Sequence, residues 1–175
     1  IVARSELTQY VQGSEWWNAN MDRPAEQRNA EQLAENALIV TALHHHQRAQ
    51  RLRQQCLEDR NVRLCRDSQV EYGLAATAYR SYLERYPNNP QGYELHYNLA
   101  DALYWSKSYE QAATEYAEVR DSNVDDSYLA ESARRVVESL KRIAARDVEE
   151  GRLVVRDDAP APGGAPPSVR PVAMP

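Results

Sequence analysis

Aromatic residues and alanines recur along the middle of the chain at the spacing of one helix face, and the pattern occurs twice. Its two copies are Tyr72, Ala75, Tyr79, Tyr82 and Tyr109, Ala112, Tyr116, Val119. The intervals within the two copies are identical, and the second copy follows the first by 37 residues. A repeat of this length is typical of stacked helical hairpins. The pattern therefore predicts an all-α solenoid of short helix pairs.

Helix-forming and helix-ending residues divide the chain into about six predicted helices. These cover Ser5–Trp17, Ala25–Cys56, Gln69–Tyr86, Gln91–Trp105, Tyr109–Asp121 and a last helix that follows Asp125 or Asp126 and ends near Glu150. The second helix is unusually long and is rich in good helix formers. A polar connection from Leu57 to Asp67 is predicted to separate it from the third helix.

Capping residues support several of these boundaries. Ser68, with Glu71 three residues later, predicts the N-terminal capping box of the third helix. The segment Pro87-Asn88-Asn89-Pro90 predicts a stop and a turn. Gly151 suits the position just after the last helix, where a left-handed backbone favours glycine.

Three regions follow from this pattern. Residues 1–24 form an N-terminal helix and connection, residues 25–158 form the helical domain, and residues 159–175 form a proline-rich tail. The tail holds six of the nine prolines and has almost no charge, so it favours polyproline II or disorder. We interpret it as a linker to something downstream, with a ligand arm for a partner domain as the alternative. The chain begins at Ile1 without a methionine, which indicates a mature protein or a fragment.

Charge and hydropathy narrow the classes of partner. Acidic and basic residues are interleaved, and the net charge is −5. The sequence shows no basic patch, which argues against nucleic acid and anionic membranes as partners. No apolar run has the length of a membrane span. Other proteins or peptides are the expected partners.

Few residues are candidates for chemistry. Cys56 and Cys65 bracket the predicted connection, and they either form a disulfide, which implies an oxidising compartment, or are two unrelated thiols. His44, His45 and His46 are consecutive on a helix, so they point about 100° apart and cannot converge on one metal ion. We find no nucleophile motif, no glycine-rich phosphate loop and no paired metal-ligand spacing. The sequence therefore predicts no enzyme activity, no cofactor and no metal.

The repeated pattern resembles tetratricopeptide repeats. In the clearest unit, Tyr97-Asn98-Leu99-Ala100 resembles the start of the first helix of a repeat. Tyr109, Ala112 and Tyr116 resemble the second helix. The resemblance covers about residues 68–146 and implies a scaffold whose first helices line a concave, partner-binding groove. The groove residues implied are Tyr97, Asp101, Tyr104, Trp105, Arg134 and Glu138. The clamp that binds acidic C-terminal peptides of chaperones needs other residues at these positions.

A narrower resemblance concerns the bacterial envelope. The segment Tyr79–Pro90, and the run Leu99–Tyr104 followed by Tyr109–Ala113, resemble repeat proteins of outer-membrane assembly, the Tol-Pal coordinator and myxobacterial gliding systems. This resemblance implies a non-catalytic scaffold in a periplasmic or envelope complex. The alternatives are a cytoplasmic adaptor and, third, a small enzyme or accessory hydrolase domain. A deep polar cleft with convergent titratable groups around His96 or His44 would favour the enzyme.

Overall fold

The computed structural model describes residues 10–154 and 170–171, and in this part the protein is almost entirely α-helical. Its helices are α1 (Glu15–Ala19), α2 (Pro24–Asp59), α3 (Val62–Arg85), α4 (Gly92–Trp105), α5 (Tyr109–Asp121) and α6 (Leu129–Glu149). One antiparallel pair of two-residue strands joins β1 (Leu153–Val154) to β2 (Arg170–Pro171). The predicted all-α class is confirmed, and α5 has the bounds that the sequence predicted.

From α2 onwards, each helix packs on the next. Contacts between α2 and α3 show that the two run antiparallel, because Glu35 meets Tyr82 while His45, later in α2, meets Glu71, earlier in α3. The core between the helices contains both copies of the repeated pattern. Its largest fully buried apolar and aromatic side chains are Tyr79, Tyr116, Leu99 and Val119. Fully buried alanines lie beside these residues and allow the helices to approach closely: Ala75, Ala100 and Ala112.

The predicted connection from Leu57 to Asp67 is wrong. Helix α2 continues to Asp59, and α3 already begins at Val62. Arg60 adopts a left-handed conformation (φ 51°) that ends α2, and the Asn61 side chain accepts hydrogen bonds from the first backbone N–H groups of α3. Two residues therefore suffice for the turn. Ser68 is consequently not a cap but a buried residue inside α3.

The N-terminal prediction also needs correction where the structure describes it. The expected helix Ser5–Trp17 lies partly outside the described residues. Within them, α1 begins only at Glu15, and its N-cap is Ser14, whose side chain accepts from the Trp17 N–H. Gly13 has a positive φ of 88°, which prevents a continuous helix through this position.

The start of α6 was predicted too early, whereas its end is confirmed. The Asp125 carboxylate accepts hydrogen bonds from Ser127 within the preceding turn, and α6 begins at Leu129. Gly151 follows the helix with φ 72°. The Arg152 N–H bonds back to the Asp147 carbonyl, which is the hydrogen bond of a Schellman motif. Of the proline-rich tail, the structure describes only β2, so the linker prediction lies otherwise outside the described residues.

Candidate functional site

A partly buried polar network joins α2, α3, α4 and α5. The Asp101 carboxylate on α4 accepts hydrogen bonds from the Tyr116 hydroxyl and the Trp105 indole N–H, each at 3.2 Å. His46 on α2 lies beside it, with Nε2 3.7 Å from the carboxylate and Nδ1 3.1 Å from the Tyr79 hydroxyl. The sequence places Asp101 in an open groove. In the structure, its carboxylate instead links α4 to α5 through the Tyr116 hydroxyl.

The other predicted groove residues make contacts within the fold. The Tyr97 ring stacks on Tyr128 with the ring centroids 4.2 Å apart, so one of its faces is covered. Arg134 and Glu138 form an ion pair with each other along α6. Among the six residues, Tyr104 and Trp105 alone line a cavity described in the structure.

That cavity, which we call the Trp105 pocket, has a volume of about 280 Å³. It lies where the C-terminal part of α2, the first turns of α3, the end of α4 and the start of α5 meet α6. Its lining residues are Arg53, Cys56, Leu57, Cys65, Ser68, Gln69, Tyr104, Trp105, Lys107, Tyr109 and Arg142. The volume is slightly below the roughly 300–1,000 Å³ of drug-sized ligand sites. The pocket therefore suits one or two side chains of a partner.

Three lining cations and Arg135 surround the aromatic wall of the Trp105 pocket. The Arg135 guanidinium lies 5.1 Å from the centroid of the Tyr104 ring and 5.6 Å from that of Trp105. The Arg53 guanidinium lies 3.7 Å from the centroid of the Trp105 ring, which is a close cation–π contact. The neighbouring Tyr104 hydroxyl is the main reason why the pKa of Arg142 is raised. Lys107 lies in the turn that follows Trp105. The pocket thus combines a flat aromatic surface with positive charge.

One wall of the pocket is formed by the two cysteines. The structure places Cys56 and Cys65 in a disulfide whose Cα atoms are 5.2 Å apart, within the range of such bonds. The link joins the last turn of α2 to the first turn of α3. It therefore fixes the two helix ends that form this side of the Trp105 pocket.

A second cavity of about 480 Å³ lies beside His96. Its walls combine apolar and proline residues with the titratable side chains of His96 and Glu118. His96 Nδ1 lies 2.9 Å from a Glu115 carboxylate oxygen, and this hydrogen bond is the main reason why the pKa of His96 is raised. Glu118 completes a group of three ligand atoms within 4.8 Å of one another. Within the part of the chain that the structure describes, these three side chains could hold a divalent cation.

The three consecutive histidines have separate environments, as expected from their spacing. His44 is exposed, whereas His45 Nδ1 lies 2.7 Å from a Glu71 carboxylate oxygen. Glu71 also pairs with Arg48 and is itself buried. The predicted capping role of Glu71 is therefore wrong, because its side chain faces α2 rather than the start of α3.

Sequence reasoning missed Arg53, Arg142 and Lys107 as candidate site residues. They come from α2, α6 and the α4–α5 turn, and no local motif links them. Only Lys107, two residues after Trp105, could have been found from its position in the sequence.

Comparison of the chain with protein-family models, curated proteins and solved structures finds no match. Among the residues that the structure describes, no helix combines the length and apolar character needed to cross a membrane. The arrangement of helices and the Trp105 pocket are therefore the basis for assigning a function.

Proposed function

We propose that the chain is a non-catalytic scaffold of the tetratricopeptide-repeat type, and that a partner protein docks at the Trp105 pocket. The observation that carries this proposal is the partly exposed Trp105 ring in a pocket to which five helices contribute residues. Tryptophan and arginine are the residues that most often contribute strongly to binding at protein interfaces. Because the pocket is formed by rigid helices, a partner binds it at little ordering cost.

The fixed position of the pocket is a second support. Trp105 is held by its hydrogen bond to Asp101 and by contact with the buried Tyr72 ring, 6.4 Å away between centroids. Asp101 in turn accepts from the fully buried Tyr116. An anchor residue that is held in one rotamer loses little side-chain entropy on binding.

The disulfide supports an oxidising compartment as the location. Disulfides persist in secreted and periplasmic proteins and are rare in the cytosol. The proposal therefore includes a periplasmic or other envelope assembly. A cytoplasmic adaptor remains the alternative, and it predicts two free thiols in protein that is isolated under thiol-blocking conditions.

Site-specific photocrosslinking in the organism of origin tests the proposed function. A photoreactive amino acid replaces Leu57, which is 63% exposed and lines the Trp105 pocket. The matched control carries the same amino acid at Leu74, which is 45% exposed on α3 and does not line the pocket. We expect a discrete adduct with one partner from position 57 and none from position 74.

Equal adduct patterns from both positions would contradict the proposal, as would the absence of any adduct from position 57 in a correctly folded variant. Circular dichroism of the purified variants verifies the fold.

A further inference from the structure

The charge of the Trp105 pocket is opposite to that of the protein as a whole. The chain has a net charge of −5, yet no aspartate or glutamate is among the described residues that line the pocket. Three of its lining residues are cations: Arg53, Lys107 and Arg142. A positive pocket on an acidic protein attracts acidic groups selectively, because acidic groups are repelled by the remaining surface.

The three cations are also available for a ligand. The arginines that form ion pairs within the described residues are others, namely Arg48, Arg85, Arg120, Arg134, Arg135, Arg146 and Arg152. In that part of the chain, no carboxylate lies within salt-bridge distance of the three pocket cations. None of the three cations is therefore held in a direct ion pair there, although Glu138 acts on Arg142 at longer range.

The start of α5 adds to the positive potential. Helix α5 begins at Tyr109, a lining residue, and its N-cap Ser108 forms no capping hydrogen bond through its side chain. The first N–H groups of a helix carry a partial positive charge and favour anions. This contribution has the same sign as that of Lys107, which directly precedes the cap.

We propose that the Trp105 pocket binds an acidic peptide segment of the partner, with one carboxylate held between Lys107 and Arg142. This inference rests on the proposed scaffold function and defines the chemistry of its partner. Peptide fits better than a small anion, because the pocket also presents the partly exposed Trp105 ring, which gains from contact with an aliphatic or backbone segment. The Arg53 guanidinium, stacked on Trp105, extends the same surface for a second acidic residue.

Fluorescence anisotropy with a labelled hexaglutamate peptide tests the inference on the full chain. Labelled hexaglutamine is the neutral control. We expect hexaglutamate to bind and hexaglutamine not to bind. Lys107→Gln and Arg142→Gln should each weaken binding about two- to fivefold, the range of one exposed ion pair.

Arg28→Gln is the matched control variant, since it removes the same charge from an exposed position on α2 outside the pocket. Its affinity for hexaglutamate should equal that of the wild type. The inference is overturned if Arg28→Gln weakens binding as much as Arg142→Gln, because binding would then depend on overall charge. It is also overturned if hexaglutamine binds equally well.

A competition experiment separates peptide from small anion. Sodium sulfate and sodium chloride at equal ionic strength should displace hexaglutamate to the same extent; much stronger displacement by sulfate would show a simple anion site and overturn the inference. If hexaglutamate fails to bind while Leu57 still yields its crosslinked partner, the acidic-peptide inference is wrong and the scaffold proposal stands. If hexaglutamate binds through Arg142 while position 57 yields no crosslinked partner, the pocket binds acidic peptides and the scaffold proposal is wrong.

Discussion

Replacing Asp101 by alanine tests whether this residue holds the helices together, as the structure indicates. The substitution removes the acceptor for two donors, the Tyr116 hydroxyl and the Trp105 indole N–H. Tyr116 is fully buried, so its hydroxyl loses its acceptor inside the fold. Trp105 is partly exposed and can recover a solvent partner.

The expected loss of stability follows from these two environments. An orphaned buried donor costs about 1–3 kcal/mol, and the recoverable indole bond adds about 0.5–1 kcal/mol. Together they predict about 1.5–4 kcal/mol for Asp101→Ala. In a chain of this size that corresponds to a fall in Tm of about 3–15 °C. Asp101→Asn keeps one acceptor oxygen and the side-chain shape, so it should lose less than half as much.

Urea and thermal unfolding followed by circular dichroism measure both variants. A loss below about 0.5 kcal/mol for Asp101→Ala, the range of surface substitutions, would refute the internal role of this residue. It would return Asp101 to the exposed groove that the sequence suggested. An equal loss of stability in the alanine and asparagine variants would show that Asp101 stabilises the fold through its negative charge beside His46 rather than by accepting hydrogen bonds.

Three further predictions concern the disulfide, the helix pairing and pH. Replacing Cys56 and Cys65 together by serine should lower the free energy of unfolding in urea by about 2–3 kcal/mol, because the unfolded chain then gains the entropy of the short loop. An unchanged urea midpoint would show that the two cysteines are not bonded in the wild type. Ala112→Leu should lower the free energy of unfolding by about 1–3 kcal/mol, because the larger side chain overpacks a fully buried position. An unchanged free energy of unfolding would show that α4 and α5 are not in close contact. The hydrogen bond to Glu115 raises the pKa of His96 above its ordinary value of 6.5. The stabilisation that this bond gives the fold is therefore present below about pH 6.5 and is lost as the pH rises through the raised pKa. Glu115→Gln should therefore lower Tm more at about pH 5.5 than at about pH 8.5, and an equal loss at both values would contradict this linkage.

The sequence could predict the helices because their signals are local. Helix α5 agrees with its prediction at both ends, because its helical period and flanking serines lie within one short segment. The α2–α3 turn could not be predicted in this way. Ser68 and Glu71 satisfy the pattern of a capping box, but the cap of α3 is Asn61, earlier in the chain. Ser68 and Glu71 are instead buried inside the fold.

The site was harder to predict, because it depends on where helices distant in sequence meet. Trp105 could be selected as an exposed aromatic residue, and the cysteines by their spacing. Whether Asp101 faces solvent or Tyr116 is decided by the rotation of α4 against α5, which a helical period alone does not fix. Arg53 and Arg142 are 89 positions apart, and only the packing of α2, α4 and α6 brings them to one pocket.

The most direct test of the scaffold assignment is the effect of Trp105→Ala on the partner crosslinked from position 57. We expect this variant to lose the adduct while its circular dichroism remains that of the wild type, and we expect Arg28→Gln to retain the adduct. An undiminished adduct in a folded Trp105→Ala variant would contradict the claim that the partner docks at the Trp105 pocket.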